Sequence, residues 1–148
     1  MPSLRIWPYN PVTDTEALAA IWLDASRLAH PFLGEERLVE HQRLVKERYL
    51  PIAETWVACA LPGPVGFISL LDTYVGGLFV APDWQGRGIG RKLVAQALAR
   101  KGALSLEVYT RNDQALRFYT ALGFTEISRR ATDDEGLPFE NALLRVEV

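Results

Sequence analysis

The stretch VAPDWQGRGIGRKLV, Val80–Val94, decides how the rest of the chain is read. Three glycines stand at alternate positions, Gly86, Gly88 and Gly90. An apolar run precedes them, and helix-like sequence carrying Arg91 and Lys92 follows. The pattern predicts a strand, a bare loop and a helix. Backbone without side chains lets amide groups come close to an anion. A helix start adds unpaired N–H donors and the positive end of a dipole. Turn amides can also form a concave anion nest. Together these suit a pyrophosphate, with Arg87, Arg91 and Lys92 available for its outer oxygens. Two nucleotide fingerprints fail. The mononucleotide loop G-x-x-x-x-G-K-[ST] does not fit Gly86 followed by Arg91 and Lys92. The dinucleotide pattern G-x-G-x-x-G would need a glycine where Arg91 stands.

Working outward, Leu4–Pro8 predicts a first strand. Thr13 and Glu16 have capping-box spacing ahead of a helix carrying Leu18, Ile21, Trp22, Ala25, Leu28 and Ala29. Pro31 breaks that helix. A second runs from Glu35 to about Tyr49, ended by Pro51. Thr55–Leu61, Val65–Leu71 and Tyr74–Val80 predict a three-strand meander, turning at Pro62–Pro64 and at Asp72 and Thr73. Gly76 and Gly77 inside the third strand mark a bulge or a close ligand approach. Downstream come a helix from about Ile89 to Lys101 and a strand over Ala103–Tyr109. A helix capped by Asn112 or Asp113 then runs to about Leu122, with Gly123 just past it. Thr125–Ala131 and Phe139–Val146 close the chain as paired strands joined by TDDEGLP. The order implies one α/β domain over residues 1–148, a mixed sheet flanked by helices. The last strand, ALLRVEV, is a candidate edge for pairing between subunits, so monomer and homodimer are both open.

The whole chain limits the function classes. It has 148 residues, 49% hydrophobic and 23% charged, which suits a packed core rather than disorder. A net charge of −2 is no nucleic-acid footprint. The single cysteine, Cys59 in WVACAL, can form no internal disulfide or cysteine-rich metal site and reads as a buried hydrophobe. The opening MPSLRIWPYN has no signal-peptide pattern, and no apolar run reaches membrane-spanning length. A soluble, cytoplasmic protein is expected, with no membrane or nucleic-acid partner and no metal.

Gln85-Gly86-Arg87-Gly88-Ile89-Gly90 resembles the acyl-CoA loop Q/R-x-x-G-x-G/A of the GCN5-related N-acetyltransferases. NDQALRFYTALGF, Asn112–Phe124, resembles a second motif of that family, and the order of elements agrees over nearly the whole chain. The likeness is greatest to small single-domain bacterial members. It implies a mostly antiparallel sheet of about seven strands and about four helices, with two central parallel strands that splay apart. Here those strands are Tyr74–Val80 and Ala103–Tyr109. It further implies acetyl-CoA as co-substrate and an amine as acceptor. The backbone of Leu78, Phe79 and Val80 would pair with the pantetheine arm, and the Leu78 amide would hold the acetyl carbonyl oxygen. Gln85 to Arg91 would cradle the pyrophosphate. Asn112 would contact the pantetheine arm. Tyr119 would protonate the leaving thiolate, consistent with a phenol pKa near 10 against about 8.5 for a thiol.

The base is less legible. Many relatives carry an acid on the strand ahead of the loop, where Gly76 and Gly77 stand here, which puts a direct carboxylate base from that strand in doubt. His30, Glu35, Glu36 and His41 are alternatives, with a water chain as the simplest fallback; His30 could equally shape the pocket. The acceptor side is expected between the first two helices, the Pro31–Gly34 loop and the final hairpin, with Trp22, Phe32 and Trp84 as candidate walls. Asp133, Asp134 and Glu135 could favour a cationic amine. A non-catalytic acyl-CoA sensor and use of another short acyl-CoA are the rival readings.

Overall fold

The computed structural model describes residues 4–61 and 63–148, so Pro62 of the expected Pro62–Pro64 turn lies outside the described residues. The strands are β1 (Arg5–Pro8), β2 (Glu54–Ala60), β3 (Gly63–Leu71), β4 (Tyr74–Val80), β5 (Ala103–Tyr109), β6 (Thr125–Arg130) and β7 (Asn141–Glu147). The helices are α1 (Thr15–Ala29), α2 (Glu35–Leu44), α3 (Ile89–Lys101) and α4 (Asp113–Ala121). A wider π-type turn over Val45–Tyr49 and one last turn, Leu50–Ile52, extend α2. Pro51 therefore sits inside the final turn rather than stopping the helix ahead of it.

The seven strands form one sheet in the order β1-β2-β3-β4-β5-β7-β6. Every neighbouring pair is antiparallel except β4 and β5. Apolar residues divide between the two faces because strand side chains alternate. Leu104, Leu106 and Val108 of β5 join Ile89, Leu93 and Ala97 of α3 and Tyr119 of α4 in one core. Phe67 of β3 and Val57 of β2 join Leu18, Ile21 and Trp22 of α1 and Leu38 of α2 in the other.

Two further expectations change. The capping box does not form: α1 begins at Thr15, and Asp14 precedes it with no side-chain cap bond. The Asp14 carboxylate instead accepts the Asn10 amide at 2.9 Å, tying back the loop that feeds the helix. The last strand is not an edge. β7 lies between β5 and β6, where both its sides are paired, and β6 with all six residues exposed forms the edge. The order of two strands in a hairpin cannot be told from their own sequence. Leu144 and Ala142, fully buried opposite Leu106 and Val108, place β7 inside.

Candidate active site

β4 and β5 meet at only one aligned pair, Tyr74 with Ser105, supported by the Ser105 amide on the Thr73 carbonyl at 3.0 Å. Beyond that pair they separate. A cleft of about 560 Å³ occupies the gap and is lined from both faces of the sheet. Gly77 pairs with Ser69 but Val75 pairs with Leu70, so Gly76 is the extra residue of a bulge, as its sequence predicts. The ladder past the bulge decides where the backbone points. The Ala81 amide bonds the Val65 carbonyl at 2.8 Å, so residues 81, 79 and 77 face β3. By alternation Leu78 and Val80 turn their amides toward the gap. Phe79 turns its amide away, so of the three residues expected to present backbone there, only two do. The Val80 carbonyl accepts the Gln85 side-chain amide at 3.0 Å, which ties the glycine loop to the strand.

The loop has the bare backbone at a helix start that its glycines predict. Gly86 and Gly88 adopt left-handed backbone, φ +77° and +83°, with open space where a side chain would begin. Gly88 caps α3, whose first helical bond runs from Lys92 to Gly88. The amides from Gly86 to Arg91 have no acceptor among the described residues. They offer donors to an anion at the positive end of a thirteen-residue helix. Arg87 stacks over Trp84 at 4.7 Å, while Arg91 and Lys92 are exposed beside the loop. This donor set fits the pyrophosphate of a coenzyme A, whose binding would leave the gap free for the acyl arm.

Asn112 caps α4 by accepting the Ala115 amide at 3.1 Å, and Tyr119 lies about two turns on. Both line the cleft. Tyr119 is 8% exposed, packed edge-on against Phe118 and Phe124. Burial raises its pKa, which keeps the phenol protonated. Its hydroxyl has no hydrogen-bond partner among the described residues, so the one polar atom of a core side chain stays available to the cleft. His30 also lines the cleft, with Nε2 3.4 Å from the Asn112 amide nitrogen and its ring edge-on to Phe32 and Tyr109. Burial pulls its pKa down to about 4. It is neutral at pH 7 and a weak proton acceptor.

On the other side of the gap the cleft carries Trp22, His41, Glu107, Tyr109, Asp133, Asp134, Glu135 and Asn141 among its walls. Asp133 is 7% exposed and organises the β6–β7 loop. It accepts the amides of Glu135 at 3.0 Å and Leu137 at 2.9 Å and the Tyr109 hydroxyl at 3.3 Å. Burial, then this carboxylate, pushes the Tyr109 pKa up to about 12. Glu135 reaches across the cleft to Arg37 and His41 of α2. Glu107 accepts from Arg130 Nε at 2.9 Å and from the Tyr74 hydroxyl at 3.4 Å. Glu107 and Asn141 are the residues that sequence reading misses. The one available signal was alternation: in LSLEVY the apolar positions take one face, so Glu107 and Tyr109 must take the other.

The remaining candidates lie as follows. Trp22 lines the cleft; Phe32 packs behind His30 against Tyr109 and Phe139; Trp84 packs against the α3-side core. Glu35 pairs with Arg27, and Glu36 is exposed at the start of α2. Cys59 is buried in β2, with its thiol pKa raised by burial, and is not among the cleft residues. Among the described residues no cluster of histidine, cysteine, aspartate or glutamate could hold a metal, and no helix is long and apolar enough to cross a membrane.

Comparison with known proteins agrees with this geometry. A family profile for the acetyltransferase (GNAT) domain matches residues 51–126. The peptidyl-lysine N-acetyltransferase YjaB of Escherichia coli is 39% identical over 127 residues, 85% of this chain and 86% of that protein. The solution structure of apo YjaB superposes with a TM-score of 0.87, covering 97% of each chain at 35% identity. The peptidyl-lysine N-acetyltransferase YiaC of the same organism is 32% identical over 85% of this chain and 87% of its own length. YncA of Salmonella typhimurium, a structure containing acetyl-CoA, shares the fold at a TM-score of 0.72 and 18% identity, over 98% of this chain and 94% of that one. The chain belongs to the GCN5-related N-acetyltransferases and is an N-acetyltransferase.

Proposed function

We propose that the protein transfers an acetyl group from acetyl-CoA to a primary amine carried on a lysine side chain, by direct attack within a ternary complex. One observation carries the reading. The cleft begins at Gln85, the first residue of the glycine loop, and runs past Tyr119 and the gap-facing backbone of Leu78 to a carboxylate-rich wall of Glu107, Asp133, Asp134 and Glu135. The relatives YjaB and YiaC, both named peptidyl-lysine N-acetyltransferases, support lysine as the acceptor.

Acetyl-CoA would supply an activated thioester, the chemistry that makes its acyl carbon open to an amine. The chain's own residues would do the rest. The amides of Gly86 to Arg91 would hold the pyrophosphate, with Gln85 fixing the loop to β4. The Leu78 amide would donate to the acyl carbonyl oxygen, a contact of the kind worth about 3–4 kcal/mol in acyl-transfer sites. The Val80 amide and Asn112 would align the pantetheine arm, and Tyr119 would give its proton to the departing sulfur. Glu107 would take the proton of the amine through water. Its place on the cleft wall supports this role, which the strand glycines Gly76 and Gly77 cannot fill. A His30 that titrates near 4 is better suited to shaping the wall than to accepting the proton.

Thiol release from acetyl-CoA, followed with a lysine-containing peptide, a free polyamine and an arylamine, tests the reading. Turnover on the peptide that far exceeds the arylamine is the expected result. Binding of acetyl-CoA without turnover on any amine would replace it with a sensor function.

A further inference from the structure

Two buried side-chain polar atoms among the described residues lack a hydrogen-bond partner, Ser26 Oγ and Asn141 Oδ1, and both residues line the central cleft. A buried unpaired acceptor is a cost that native proteins rarely carry without use. Asn141 is the more telling of the two, because its orientation is forced. Its Nδ2 donates to the Thr132 carbonyl at 3.0 Å and to the Phe139 carbonyl at 3.4 Å. Turning the amide over would set oxygen against both carbonyls. Oδ1 must therefore face away from the loop, with the residue 4% exposed.

The surroundings say what Oδ1 can accept. Asn141 stands opposite Tyr109 in the β5–β7 register, so its side chain shares a sheet face with Tyr109 and with Glu107 two residues earlier. Glu107, Asp133, Asp134 and Glu135 line the same cleft, and Arg130 is the one lysine or arginine among its lining residues. Each carboxylate already has a partner. Glu107 and Asp134 take Arg130, Asp133 takes two backbone amides and the Tyr109 hydroxyl, and Glu135 takes Arg37 and His41. What is left is a neutral acceptor in an anionic field. That combination favours a cationic N–H donor and repels an anion or a group that only accepts.

We propose that Asn141 is a specificity-determining residue, whose Oδ1 accepts an N–H of the acceptor amine in its alkylammonium form. The proposal rests on the lysine-acetylation reading and assigns its acceptor selectivity to one atom. Binding is measured apart from turnover, so the two can fail separately. The probes are Nα-acetyl-lysine amide, whose side-chain nitrogen is its only amine, and the analogue with a methyl group, which cannot donate, in place of that nitrogen. Each is titrated into the protein saturated with coenzyme A and followed by chemical shifts. In the unaltered protein the Asn141 side-chain amide signals should move with the ammonium probe, which should bind about tenfold more tightly than the methyl probe. Asn141→Ala should remove most of that preference while leaving coenzyme A affinity unchanged. Asn141→Asp keeps an acceptor oxygen, and burial holds it as the neutral acid, whose hydroxyl can still donate to one of the two carbonyls, so it should retain ammonium binding within about twofold. If Asn141→Asp loses as much as Asn141→Ala, the side chain merely supports its loop, and the proposal falls. Equal affinity of the two probes in the unaltered protein overturns it even if neither variant folds.

Discussion

Tyr119 is buried as a hydrophobe and keeps a hydroxyl with no hydrogen-bond partner among the described residues. Removing that hydroxyl deletes no intramolecular hydrogen bond. Tyr119→Phe should therefore leave thermal stability within about 0.5 kcal/mol of the parent and coenzyme A affinity nearly unchanged. Its kcat should fall about 100-fold, the lower range for loss of a positioned acid. A drop in stability with unchanged kcat would make the residue a packing element only. That Asn112 and Tyr119 face the same cleft was legible because their spacing lies within one helix and its cap, while their roles came only from the family resemblance. Asn141 was not, because its unpaired oxygen arises from carbonyls at Thr132 and Phe139 whose positions depend on the β6–β7 loop.

At the scale of elements, the glycine loop and the β6–β7 loop differ in what holds them. The first is shaped by left-handed backbone at Gly88, where a Cβ would meet no atom within 4 Å. Gly88→Glu should cost about 1–2 kcal/mol in backbone strain, leaving the protein folded, while its carboxylate enters a site built from donors. Equilibrium binding should show at least a tenfold loss of acetyl-CoA affinity, and unchanged affinity would remove the loop from the site. The second loop is fixed by buried Asp133, whereas Glu135 bridges to Arg37 and His41 at a half-exposed surface. Two backbone amides and the Tyr109 hydroxyl that lose a buried acceptor cost more than a solvated ion pair. Asp133→Ala should therefore destabilise by about 2–3 kcal/mol and Glu135→Gln by under about 1 kcal/mol, as read by denaturant unfolding. The reverse ranking would mean that the cross-cleft bridge, not the Asp133 turn, holds the two banks together. The boundaries of α3 and β5 and the bulge at Gly76 could be read from glycines and alternation. The capping of α1 could not, since the Asp14–Asn10 bond outcompeted a local motif of equal plausibility.

Across the whole molecule, the splay of β4 and β5 admits a ligand and also encloses a histidine in a nonpolar wall. The seven-strand sheet was legible from element order, but the placement of β7 inside β6 needed the long-range match of Ala142 and Leu144 to Val108 and Leu106. That same closure helps bury His30 against Tyr109, with a pH consequence for the fold. Its pKa is about 4 in the folded protein and near 6.5 in a free chain. Between those values the unfolded state binds more protons, so stability rises with pH through the window and is lost as pH falls below about 6.5. From pH 7 to pH 5 the loss attributable to His30 should be about 2 kcal/mol. The carboxylates of Glu35, Glu40, Glu54 and Glu126 are all held below their usual range by cationic partners. They weaken the fold in the same direction but at lower pH, because a depressed carboxylate contributes only above its unfolded pKa. Denaturant unfolding at half-unit steps from pH 7 to pH 5 separates the two. His30→Gln, which cannot be protonated, should flatten most of the slope in that interval. A slope that survives the substitution would place the titrating group elsewhere and return His30 to an ordinary, solvated basicity.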